Sequence, residues 1–249
     1  MANLSLDYRF LRHIGVNPAS QERTQRYYLR FFADRRDVLD LACGDGDFVA
    51  LLRANGVPAI GIERDPAFCR EAARRGIPLQ QGDAFEFLAQ AGAERYDGMF
   101  TAHLVEHLPY PRVLELFGLA FHALRPGGLL VVATPNARSL YAHLEDFYKH
   151  FSHVTFYHPD LLGFLLSVAG FTVHEVGENT LMPAPLFGDL RLELERLRQG
   201  ALPPPQTRNP LRRLRRRVEA WIARYVLRSH LGLITQVLDA VMARVDRPF

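Results

Sequence analysis

An α/β chain built on a doubly wound, mostly parallel sheet, with a helical C-terminal extension, is the fold class that this sequence predicts. Three observations lead there. Short apolar strands alternate with helix-periodic segments, a glycine-rich turn joins the first strand to a helix, and the composition changes abruptly near residue 182.

Residues 1–36 read as a polar helical lead-in, with Tyr27, Tyr28, Phe31 and Phe32 supplying apolar contacts before the first strand. Candidate strands are 37–41, 59–62, 98–101, 129–133 and 171–176, separated by segments of helical periodicity. That order predicts a parallel sheet covered by helices on both faces. Pro126-Gly127-Gly128 reads as the turn that ends one helix and starts the strand LLVVA, and Gly170 ends the helix of DLLGFLLSVAG. The boundary near 182 divides a first domain, 1–182, from an arginine-rich extension, 183–249. In the extension Leu211, Leu214, Val218, Trp221, Ile222 and Tyr225 recur at helical spacing, with Arg212, Arg213, Arg215, Arg216 and Arg217 around the start of the helix.

With 249 residues, 48% of them hydrophobic, the chain has material for a full core. Thirty basic and twenty-seven acidic residues leave a formal charge of +3, too mild to argue for nucleic acid, and no stacking-aromatic motif accompanies the arginines. Cys43 and Cys69 make neither a disulfide framework nor a metal-type C-x-x-C, which fits a reducing cytoplasm. The first residues, MANLSLDYRF, lack the pattern of a secretory leader, and no run of about 18 apolar residues is present. A cytoplasmic protein is therefore expected.

The densest chemical signal is VLDLACGDGDF, 38–48, a strand that ends in an acid and enters a glycine turn and a helix. Asp40, Ala42, Gly44, Gly46 and Phe48 are its candidate cofactor contacts, since glycine lets backbone approach a ligand closely. Ala42 stands where such loops often have a first glycine. About twenty residues further on, GIERDP brings Glu63, followed by Arg64, to the end of a second strand, where a carboxylate can accept both hydroxyl protons of a ribose. QGDAFEFL then puts Asp83 at the end of a third, facing an adenine amino group with Ala84 and Phe85 beside the ring. An ordinary surface acid competes for Glu63 and a helix N-cap for Asp83. Three acids at successive strand ends favour an adenosyl site, and Val49 occupies the place where a dinucleotide loop has its third glycine.

On these motifs residues 20–176 resemble the class I methyltransferases that use S-adenosylmethionine, whose fold is Rossmann-like. Within that family the text QERTQRYY, YDGMFTAHLVEHLP, LRPGGLLVVATPN and SHVTFYHPDLLGFLLSVAGF is similar to enzymes of bacterial O-antigen and surface-polysaccharide synthesis. The resemblance implies that Arg23 pairs with the methionyl carboxylate and that Thr101 and His103 sit at the fourth strand's end. It also implies an acceptor that is a hydroxyl or terminal phosphate of a sugar, nucleotide sugar or lipid-linked glycan. A small-molecule natural-product O- or N-methyltransferase and a non-catalytic cofactor-binding module of a glycan-synthesis complex are the alternatives, with an RNA-binding relative third.

Methyl transfer to a hydroxyl calls for a base, and histidine suits neutral pH. His153 and His103 rank first as base or acceptor-orienting groups. His107, beside Glu106, reads as more structural, and His158 as a neighbour of a helix cap. His143, His150, His153 and His158 lack a convincing ligand spacing, so no metal is expected. The chain departs from the polysaccharide-type pattern at Tyr148-Lys149-His150-Phe151, where an acid is missing. The basic segment 211–228 is a candidate for peripheral contact with the inner membrane face, with packing on the chain's own domain or on a partner as the competing reading.

Overall fold

Val38, Leu39 and Leu41 divide their side chains between two apolar layers, and that alternation builds the centre of the sheet. A computed structural model describes residues 5–14, 18–139, 142 and 147–181. The chain divides into Met1–Pro183 and Ala184–Phe249. Everything below concerns the first unit, and the expected arginine-rich helix and membrane-contact segment lie outside the described residues.

In order, the elements are α1 (Leu6–His13), α2 (Pro18–Arg26), a 3-10 turn (Tyr27–Phe31), β1 (Val38–Leu41), α3 (Asp47–Ala54), β2 (Ala59–Glu63), α4 (Pro66–Arg74) and β3 (Leu79–Gln81). They continue with α5 (Ala84–Gln90), β4 (Tyr96–Ala102), a 3-10 turn (Val105–His107), α6 (Tyr110–Ala123), β5 (Leu124–Ala133), the single turn α7 (Phe147–Lys149) and α8 (Pro159–Val168). The strands form one sheet in the order β3-β2-β1-β4-β5, every pair parallel. This is the expected doubly wound α/β sheet. The chain leaves β1 toward β2 on one side and returns to β4 on the other, so a crevice opens beyond the carboxyl ends of β1 and β4.

One apolar layer joins Leu39, Leu41 and Met99 to residues of α5, α6 and α8; the other joins Val38 and Phe100 to Phe32 and to α3. Burial of strands on both faces is what a parallel sheet requires. Phe32, Phe48 and Phe100 form an aromatic nucleus in the second layer, with Phe48 and Phe100 centroids 4.2 Å apart. Tyr28 leans on the same two rings, so the predicted lead-in contacts are present.

Two expectations need correction, and a third is met by a short element. Residues 171–176 form no strand: Val173 and Val176 are exposed, and the segment is tied down by side chains, including Arg30 to Glu175 at 2.5 Å. Phe171 packs on the apolar layer while Val173 and Val176 do not, and β-branched residues alone do not make a strand. The third strand, implied only by Asp83, is real but short, because Leu79–Gln81 is polar and borders the sheet. Finally, α6 stops at Ala123 and β5 begins before the glycines. Tyr96 pairs with Leu124 and Gly98 with Leu129, so Arg125 to Gly128 bulge out, with Gly127 at φ +74°.

The turn after β1 is the most strained piece of backbone in the described chain. Ala42, Gly44 and Gly46 all lie in the left-handed region, at φ +56°, +58° and +80°. Glycine enters that region freely, whereas alanine pays for its Cβ with about 1 kcal/mol or more. Gly61 on β2 supplies space for this turn, since a Cβ there would come within 2.3 Å of Cys43 Sγ and 3.2 Å of Val49 Cγ2. Val49 is thus accommodated where a glycine would otherwise be needed for helix and strand to approach. Replacing Ala42 by Gly is expected to stabilise the protein by about 1 kcal/mol in urea unfolding, the strain relieved exceeding the entropy lost. An unchanged or lowered midpoint would show that Ala42 is unstrained.

Candidate active site

Asp40 and Glu63 come from adjacent strands, with Asp40 in register with Gly61 two residues before Glu63. Both are nearly fully enclosed, at 3% and 7% exposure. Glu63 is satisfied by backbone: Gly44 N–H donates to Oε2 at 2.9 Å and Asp65 N–H to Oε1 at 2.8 Å. One carboxylate therefore pins the glycine turn and the start of α4 together. Burial raises its pKa, and those two hydrogen bonds oppose the rise. Asp40 has its pKa raised well above the ordinary range, first by burial and then by the Glu63 charge. The same surroundings push the Cys43 thiol up, which leaves it an unreactive packing group.

Two close, buried carboxylates repel a phosphate and favour a ligand that carries positive charge and hydroxyl donors. The turn leaves room for one, since a Cβ on Gly44 would meet nothing within 4 Å. On the lead-in, Gln25 Oε1, in α2, is buried without a hydrogen-bond partner. Helix α2 packs against α3, which starts at Asp47 just past the glycine turn, and Arg23 is exposed on the same helix. These residues fit an adenosyl sulfonium ligand better than a dinucleotide.

The remaining expected contacts are distributed as follows. Asp83 caps α5, its Oδ1 accepting from Phe85 N–H at 2.9 Å and Glu86 N–H at 3.3 Å. The cap reading and a ligand role are compatible, because a carboxylate has further lone pairs. Ala84 and Phe85 belong to the buried layer, with the Arg112 guanidinium 3.7 Å above the Phe85 ring. Arg64 is exposed beside Glu63. Phe48, expected at the cofactor, is 1% exposed and packs beneath the turn in the aromatic nucleus. Thr101 is buried and donates to Leu41 O at 3.2 Å, which joins the ends of β4 and β1.

On the far side of the crevice the chain leaves β4 through His103, at φ +55°, a conformation uncommon for a side-chain-bearing residue. The His103 ring is 63% exposed, yet its Nδ1 lies 3.0 Å from Oε1 of Glu106, whose side chain is 0% exposed. Thr134 Oγ1 donates to the other oxygen, Oε2, at 3.0 Å, and the Glu106 carbonyl accepts from Val154 and Thr155 N–H at 2.9 and 3.1 Å. Burial pushes the Glu106 carboxyl up, but the hydrogen bond and charge of His103 outweigh it and the net shift is downward. Glu106 stays ionised and holds the imidazole in one orientation. On sequence Glu106 stands out only as the neighbour of His107; its i+3 spacing from His103 was the available signal.

The other histidines divide. His153 Nδ1 is 2.6 Å from Phe147 O, and its ring lies 4.8 Å from that of His107 and 4.9 Å from that of His150. His107 Nδ1 is 3.1 Å from Ser152 O. Burial, foremost, lowers the pKa of His107 and of His150, so both are neutral near pH 7. His158 is itself the N-cap of α8, accepting from Asp160 N–H at 3.2 Å. His143 lies outside the described residues.

Known proteins share this fold. The family model described as "Methyltransferase domain" matches residues 17–176. Among solved structures, a SAM-dependent methyltransferase from Archaeoglobus fulgidus superposes with TM-score 0.63 at 24% identity, covering 77% of this chain and 92% of its own. A putative methyltransferase of Haloferax volcanii, solved with the Trm112 activator, gives 0.57 at 18% identity over 68% and 75% of the two chains. An O-methyltransferase family protein from Burkholderia thailandensis gives 0.53 at 23% over 64% and 53%. These likenesses establish the fold. No curated protein matches the sequence. With its parallel sheet, left-handed glycine turn and paired strand-end acids, the chain belongs to the methyltransferase domain family and is an S-adenosylmethionine-dependent methyltransferase.

Proposed function

We propose that the protein methylates a hydroxyl group of a sugar, nucleotide sugar or lipid-linked glycan, with His103 as general base. The observation that carries the reading is the His103–Glu106 pair at the carboxyl end of β4, one strand across the switch point from the glycine turn. When bound, S-adenosylmethionine supplies a methyl group on a sulfonium, which departs as a neutral thioether. Asp40 and Glu63 offset that positive charge and accept from ribose, and Asp83 accepts from adenine. With Nδ1–H donated to Glu106, His103 Nε2 is the basic nitrogen that takes the acceptor hydroxyl proton as the new C–O bond forms. Glu106 stabilises the resulting imidazolium without being protonated itself. His153, ranked beside His103 on sequence, has its Nδ1 committed to Phe147 O, and its ring belongs to a histidine cluster. The sugar acceptor is supported by the sequence similarity of 152–171 to polysaccharide-type enzymes and by the need of a hydroxyl, unlike an amine or phosphate, for such a base.

Radiolabelled methyl transfer to nucleotide sugars and lipid-linked glycans tests the acceptor class. His103→Ala should lower turnover by about 10²- to 10⁴-fold while cofactor affinity stays within about twofold; wild-type turnover removes it as the base. Glu106→Gln should move the acidic limb of the pH–rate profile to lower pH, because an amide no longer favours the protonated ring. An unmoved limb would mean that another group controls it.

Asp40→Asn separates binding from stability. A carboxyl whose pKa is raised on folding costs stability once pH exceeds its unfolded value, so at neutral pH the amide should raise the melting temperature. Cofactor affinity measured by calorimetry should fall about tenfold or more through loss of a charge-assisted interaction. Unchanged affinity would displace the cofactor from this turn.

A further inference from the structure

We propose that His107, His150 and His153 bind one divalent transition-metal ion of the zinc type, with the Asp7 carboxylate as fourth ligand. This goes beyond methyl transfer and does not rest on it. The three residues come from the 3-10 turn after β4 and from the stretch around α7, and each offers a ring nitrogen, all three within 4.8 Å of one another. Ring centroids are 4.8 to 5.1 Å apart in every pairing.

The chemistry of the donors suits such an ion. His153 and His107 have Nδ1 within hydrogen-bond distance of the backbone carbonyls of Phe147 and Ser152, and His150 Nδ1 is 2.9 Å from Ser152 Oγ. Where Nδ1 of His107 and His153 donates to those carbonyls, Nε2 is the ligand nitrogen of each, oriented as the outer shell of a metal site orients it. His150 Nδ1 instead accepts from Ser152 N–H at 3.4 Å, so that ring ligates through Nε2 once its hydrogen moves to Nδ1, toward Ser152 Oγ.

A second, independent observation is Asp7. Its Oδ1 is buried without a hydrogen-bond partner, on α1, and lies 4.0 Å from His150 Nε2. At 4.0 Å the ring nitrogen is beyond hydrogen-bond reach of that oxygen. A cation between them would satisfy it. Three imidazoles and one carboxylate make a four-coordinate set of the kind Zn²⁺ takes, with bonds of about 2.0–2.2 Å and ligand atoms about 3.3 Å apart. Moving the rings from 4.8 Å to that separation requires shifts of about 1 Å, within reach of side-chain rotation. The ion would clamp α1, the turn after β4 and the α7 stretch together, next to Glu106.

The test uses the full chain, freed of metal with a chelator and titrated with Co²⁺, read by its visible d–d absorption, and with Zn²⁺, read by calorimetry. One ion should bind per chain, and Zn²⁺ should raise the melting temperature. Asp7→Asn and His150→Ala should each weaken binding by about tenfold or more with the circular dichroism unchanged, while His158→Ala, outside the cluster, should bind as the wild type does. Absence of saturable binding at one ion per chain, or wild-type affinity in Asp7→Asn and His150→Ala alike, would overturn the proposal.

Discussion

A carboxylate enclosed at the end of a strand must find donors, and Glu63 finds them in the backbone N–H groups of Gly44 and Asp65. That single side chain holds the strained turn between β1 and α3 against the start of α4. The left-handed backbone at Ala42, Gly44 and Gly46 persists because the turn is fixed from several directions: by Glu63, by Cys43 N–H on Ile62 O at 3.1 Å, and by helix α3 packed beside Gly61. Two acids this close are costly to enclose, and burial raises the pKa of both. The site stores its specificity as electrostatic discomfort.

Across the switch point Glu106 performs the corresponding task. It receives His103 and Thr134 through its carboxylate, and Val154 and Thr155 through its carbonyl. Residues more than 45 positions apart in sequence are thereby fixed to one turn. Because Glu106 is ionised and enclosed, removing its partners would strand a buried charge, so the arrangement resists loosening. The cofactor side and the acceptor side thus each depend on one buried glutamate that organises backbone around it.

The strand, glycine turn and helix around 38–48 could be read from the chain because they are local. Strand, acid, glycine turn and helix follow one another within 38–48, and the acids recur at intervals of about twenty residues, the length of a strand–helix unit. The strain at Ala42 could not be read there, since a dihedral angle is not a residue type. Residues 171–176 misled through their β-branched composition, which does not reveal whether an apolar layer is waiting. Phe48 misled in the opposite sense: it adjoins the loop in sequence but turns its ring into the core.

The acceptor half was legible only as a set of histidines. What holds each of them depends on side-chain and backbone geometry: Glu106 for His103, Phe147 O for His153, Asp160 N–H for His158. Periodicity and the glycine turn determine the sheet, its order of elements and the kind of ligand at its edge, because local sterics and hydrophobic burial are written residue by residue. The histidine cluster with Asp7 is decided by tertiary structure alone, since it gathers side chains from α1, the turn after β4 and the α7 stretch, and no local rule brings positions 7, 107, 150 and 153 together.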